Sequence, residues 1–142
     1  MAKKSGPDHV IDYQTLGAFR SALRKFLRIS EKLAGSLGLT PQQHQMMLVI
    51  RGVSETSTPT VGELARLLEV RHNSAVGLIN RLVKLGLVRR ASVKQDRRQV
   101  RVILTAKGFA ALDKLTLAHQ AELKQIGPEI RKLLAILQSQ WE

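Results

Sequence analysis

The chain has 142 residues, the size of one domain or one compact subunit, and its 44% hydrophobic content is that of a globular protein rather than a disordered one. Twenty-three Lys and Arg against eleven Asp and Glu give a formal net charge of +12, which favours a polyanionic partner, nucleic acid before acidic membrane. There is no cysteine, so disulfides, thiolate nucleophiles and thiolate metal sites are excluded.

Residues 1–10 read as a flexible basic tail with Gly6-Pro7 as a breaker, and they lack the apolar core of a signal peptide. No apolar run approaches the ~20 residues that span a bilayer, so a soluble, cytoplasmic protein with no membrane partner is expected. From 11 to 37 the pattern is helical. Leu16, Phe19, Leu23, Phe26, Leu33 and Leu37 recur at spacings of three and four, with Ser30 filling the one gap. Arg20, Arg24, Lys25 and Arg28 take the other side. Such a seam must meet another helix, from the C-terminal region or from a second chain.

Gly35 and Gly38 end this helix. Thr40 as cap, Pro41 in the first turn and Gln43 three residues after the cap start the next. Met46, Met47, Leu48, Ile50 and Val53 make it mostly buried, with the methionines as core filling. A polar loop follows, in which Thr58 to Thr60 can pair as a short strand against a later hairpin.

Thr60 and Glu63 form a capping box for a short helix whose apolar face is Leu64, Ala65, Leu67 and Leu68. Val70 sits in a tight turn, with Glu69 where glycine is common. Asn73 or Ser74 is expected to cap a second helix that carries Ala75, Leu78, Ile79, Leu82 and Leu85 inward. The pair reads as a helix-turn-helix. Its outward face keeps Arg71, His72, Asn73, Ser74, Gly77, Asn80, Arg81 and Lys84. Polar and small residues near a helix start suit the major groove of DNA; the other reading is a solvated helix face. Two strands follow, 87–92 and 100–104. The stretch between them has no apolar residue after Val93, so it cannot pack and is expected to project as a wing carrying Lys94, Asp96, Arg97 and Arg98. Between Arg66 and Arg101 lie ten basic residues opposed by Glu69 and Asp96 alone, which gathers +8 of the +12 in 36 residues. A membrane-surface protein would instead show one long basic amphipathic helix.

Thr105 then caps a helix to about Ile126, with Phe109, Leu112, Thr116, His119, Leu123 and Ile126 on one stripe. Gly127 is expected to break it and Pro128 to begin a last helix, apolar at Ile130, Leu133, Leu134, Leu137 and Trp141. A tryptophan so near the chain end is better accommodated against a partner subunit than in a monomer. The expected fold is mainly α with a small β-hairpin wing: a winged helix-turn-helix flanked by N- and C-terminal helices.

Several segments carry a family likeness: Leu39 to Gln43, Asn80-Arg81-Leu82 with Gly86-Leu87-Val88, and above all Asp96-Arg97-Arg98 followed by Leu104-Thr105 and Gly108. In these the chain resembles the MarR family of winged-helix regulators, from about Tyr13 onward. The resemblance implies dimerisation helices at 11–37 and 106–142 and a winged DNA-binding domain at 38–105. It implies a homodimeric, ligand-responsive repressor on a pseudo-palindromic operator in double-stranded DNA. It also implies a pocket for a small aromatic or phenolic effector, with Phe19, His44 and Met47 as candidates. In the wing, Arg98 is the candidate for the minor groove, and Asp96 is expected to pair with a wing arginine. Many members carry a larger polar or basic residue where Gly77 stands. The absent cysteine excludes the branch that senses peroxide through a thiol.

His9, His44, His72 and His119 show no pair at metal-ligand spacing, and there is neither a catalytic constellation nor a phosphate cradle, so no metal, cofactor or enzymatic activity is expected. The reading of a different class is a winged-helix protein-interaction module that binds an acidic partner.

Overall fold

A computed structural model describes residues 12–93 and 96–141, and of residues 93 and 96–99 the backbone alone. The proposed basic tail therefore lies outside the described residues. The order is α1 (Tyr13–Ser36), α2 (Pro41–Val53), α3 (Val61–Leu67), α4 (His72–Lys84), β1 (Val88–Val93), β2 (Asp96–Leu104) and α5 (Ala106–Ser139). No helix among the described residues is long and apolar enough to cross a membrane. The chain divides into two compact units, residues 31–118 and residues 1–30 with 119–142.

The 31–118 unit holds α2, α3, α4 and the hairpin around a core in which Met46, Met47, Ile50, Leu64, Ile79 and Leu82 are fully buried. Ala34, Leu112 and Leu115 add to that core. The two methionines are thus core filling, while Leu48, expected inside, is 45% exposed. Leu67 and Leu85 also lie outside, at 56% and 39% exposure. On α3 the buried residues are Leu64 and Ala65, with the C-cap Leu68 partly buried beside them, and at about 100° per residue Leu67 falls well to one side of that stripe.

Three helix ends share one device. Leu39 N–H reaches Ala34 O, Val70 N–H reaches Ala65 O and Leu87 N–H reaches Leu82 O, each at 3.0 Å. The residue before each is left-handed: Gly38 at φ 73°, Glu69 at φ 55° and Gly86 at φ 73°. These are Schellman caps, and the apolar residue after each turn packs back on the core. The turn between α3 and α4 therefore uses the glycine conformation without glycine.

α2 and α3 begin as expected. Thr40 and Thr60 accept from Gln43 and Glu63 N–H, each at 3.2 Å, and those side chains return a bond to the cap amide. β1 and β2 pair antiparallel from Val88–Leu104 to Ser92–Val100. The register then shifts, and Val93 pairs with Asp96. The second strand thus reaches further into the wing than expected, and Arg97, Arg98 and Gln99 fall where the pairing slips. Pro59 O accepts from Val102 N–H at 2.9 Å and Thr60 bridges Arg101, so the loop before α3 pairs with the hairpin. Arg101 also donates to Thr58 O.

At the start of α5, Thr105 Oγ1 accepts from Gly108 N–H at 3.0 Å and donates to Gly86 O at 2.6 Å. Lys107 Nζ donates to Leu85 O at 2.8 Å. A Cβ on Gly108 would stand 2.0 Å from Leu87 O, so only glycine lets α5 pass this close to the end of α4.

In the other unit, Ala22, Ile126 and Leu137 are buried. His119 Nε2 lies 2.7 Å from Ser30 Oγ, with Phe26 edge-on to its ring at 6.0 Å. Asp12 caps α1 by accepting from Thr15, whose hydroxyl and then N–H hold its carboxyl below the usual carboxylate range. Gln140 Nε2 donates to Asp12 Oδ2 at 3.3 Å. Tyr13, Leu27 and Trp141 remain at least 60% exposed, and Leu123, expected on the buried stripe, is 46% exposed.

The break expected at Gly127-Pro128 does not occur; α5 runs through Pro128. An interior proline forfeits one backbone bond and crowds the carbonyl four residues back, at a cost of about 3 kcal/mol. Ile126 and Leu137 lie three turns apart on one face, and burying each contributes about 1.5–3 kcal/mol, which offsets that cost while the helix stays continuous.

Candidate nucleic-acid interface

The site is built on α4. Ala75, Leu78, Ile79 and Leu82 anchor its inner face, which turns Arg71, His72, Asn73, Ser74, Asn80 and Arg81 to the exterior. Gly77 is half-buried, and a Cβ placed on it would meet nothing within 4 Å. The fold itself therefore does not demand glycine there.

The start of α4 departs from expectation. Neither Asn73 nor Ser74 caps it: the N-cap is Arg71, and it makes no side-chain capping bond. A first helical turn has amides without intrahelical acceptors, and the macrodipole leaves that end positive. α2 and α3 close their ends with capping boxes, whereas α4 presents His72, Asn73 and Ser74 beside an uncapped end. Such an end suits an anion, the phosphate of a nucleic acid included.

A hollow runs along each side of α4. One, of about 380 Å³, is lined by Thr60, Val61, Gly62, His72, Val76, Arg90 and Val100, and so joins α3, α4 and the hairpin. The other, of about 360 Å³, is lined by Gln42, Val70, Asn73, Ser74, Gly77, Leu78 and Arg81. The expected contact residues of α4 thus divide between two flanks. His72 lies on the hairpin side; Asn73, Ser74, Gly77 and Arg81 lie on the α2 side. Asn80 is exposed, and its Oδ1 accepts from Arg90 of β1.

Arg90 is a member of this surface that the sequence did not single out. Its signal was strand alternation: Val88 is buried, so Arg90, two residues on, shares that face beyond the edge of the core. Of the expected wing residues, Lys94 lies outside the described residues, and Asp96, Arg97 and Arg98 are placed by backbone alone. Of the effector candidates, His44 and Met47 are buried in the 31–118 unit, while Phe19 is half-buried in the other. Among the described residues no three His, Asp or Glu side chains gather where they could hold a metal ion.

Residues 37–99 match the model of the MarR family. Over that segment the chain is of the MarR winged-helix type. It is similar to the HTH-type transcriptional regulator PrsX of Escherichia coli, 26% identical over 106 residues that make up 73% of this chain and 64% of that one. The matches span 62–64% of the length of the curated relatives. Among solved structures, wild-type MarR of E. coli is 26% identical with TM-score 0.64, covering 87% of this chain and 85% of its own. A substituted E. coli MarR complexed with operator DNA is 25% identical with TM-score 0.63, covering 84% and 81%. The MarR-family fold accounts for the wing at the hairpin and for α4 as the second helix of the helix-turn-helix.

Proposed function

We propose that the chain is a sequence-specific, DNA-binding transcriptional regulator that acts as a homodimeric, ligand-responsive repressor. The observation that carries this reading is α4: an amphipathic helix with an uncapped N-terminus and an exposed row of donors, inside the segment that holds +8 of the net charge. The similar MarR structure in complex with operator DNA supports the same role for the corresponding surface.

In this reading the start of α4 holds phosphate, and His72, Asn80 and Arg81 reach base edges in the major groove. The hairpin follows the backbone, Arg98 enters the adjacent minor groove, and Asp96 holds an arginine of the wing in shape. Two copies join through their terminal helices, where the exposed Tyr13 and Leu27, with Trp141 just beyond α5, supply apolar surface for a partner. A small aromatic or phenolic effector releases the DNA. It does so only if it prefers the state that binds DNA poorly.

Selection of bound sites from a pool of random duplexes tests the reading. An inverted repeat is expected, with half-sites about 10 base pairs apart or a multiple of that spacing. Retention of every duplex alike, together with equal retention of an acidic polypeptide, would point instead to a module that binds acidic proteins.

A further inference from the structure

Asn80 is the one outward amide on the C-terminal half of α4, and its partner is not on the helix. Arg90, on β1, donates to Asn80 Oδ1. The identity of the facing amide atom follows from chemistry, because a guanidinium carries five donors and no acceptor and so accepts only the oxygen as its neighbour. Both side chains are exposed, so the pair sits at the surface that α4 offers rather than inside the core.

We propose that Arg90 is a positioning residue that sets which base Asn80 reads. A free asparagine suits adenine, because its oxygen accepts from N6 while its nitrogen donates to N7. Here the oxygen is engaged by a cation. An adenine amino group approaching it would bring a second positive hydrogen against the guanidinium. What the pair offers is mainly donors, the Asn80 Nδ2 hydrogens and the Arg90 N–H groups not spent on Asn80, because the second lone pair of Oδ1 lies beside a cation that repels a further positive hydrogen. The base edge that answers only with acceptors is guanine, through O6 and N7. The wing root thus changes the reading helix from adenine-seeking to guanine-seeking, with no change in the helix sequence.

The inference rests on the DNA-reading assignment, and one experiment separates the two. Full-length wild type, Asn80→Ala, Arg90→Lys and Arg90→Met are each used to select sites from random duplexes, with circular-dichroism melting to confirm that each folds. In each half-site, wild type is expected to prefer guanine over adenine at one position by roughly 5- to 150-fold. Asn80→Ala flattens that position. Arg90→Lys keeps the guanine preference, since an ammonium also only donates, whereas Arg90→Met frees Oδ1 and moves the position toward adenine. If Asn80→Ala flattens a position that Arg90→Met leaves at guanine, or flattens none, the inference fails while the DNA-reading role stands. If wild type enriches no sequence, the DNA-reading role itself fails and the inference with it.

Discussion

Single residues carry tension in this fold. Glu69 holds φ 55° in the turn between α3 and α4, a conformation that costs a non-glycine residue about 1 kcal/mol. Glu69→Gly should therefore raise the unfolding free energy by about 1 kcal/mol in urea melts, against the usual trend for glycine. Gly108 shows the opposite case. Gly108→Ala would drive a Cβ onto Leu87 O and should cost about 2–3 kcal/mol, read as a lower denaturation midpoint. Gly77 is permissive toward its own chain, so Gly77→Ala should stabilise α4 by about 1 kcal/mol. Any loss of DNA affinity in that folded variant would then report the partner rather than the fold. The unusual residue at 69 was visible in the sequence, and Gly108 stood out as part of a family signature. Its steric reason was not visible, because it depends on a carbonyl 21 residues earlier in the chain.

At the level of elements, local signals were read correctly where they were self-contained. The Thr40–Gln43 and Thr60–Glu63 boxes lie within one turn each, and both helices begin where the sequence placed them. Thr60→Ala should cost about 1 kcal/mol of stability in thermal melts. Where the outcome depended on tertiary packing, the local signal misled. Asn73 and Ser74 are good caps, yet α4 starts one residue earlier than Asn73 and leaves both exposed. Gly127-Pro128 is a strong breaker pair, yet the continuous stripe through Ile126 and Leu137 outweighs it. Strand pairing set the wing in the same way: the slip between Ser92 and Val93 extends β2 to Asp96, a register that no local pattern encodes. Arg90 was overlooked among ten basic residues because its significance lies in facing Asn80 across 10 positions of chain.

At the scale of the whole molecule, the charge distribution says most about function. A chain with +8 concentrated in 36 residues releases counterions when that segment meets a polyanion, so affinity should fall steeply and linearly on a log–log plot against salt. Arg98→Ala should reduce that slope by about 1 if its guanidinium meets a phosphate-lined groove. In the proposed homodimer a second copy of the chain covers the apolar residues left exposed in the unit of 1–30 and 119–142. The central claim, that α4 and the hairpin read a base sequence, is tested most directly by competition. A labelled duplex carrying the selected site is held at fixed salt against an unlabelled shuffled duplex of the same composition, with fluorescence anisotropy as the readout. The account predicts a preference of ~10³ or more for the selected site. Equal competition by the shuffled duplex would contradict it.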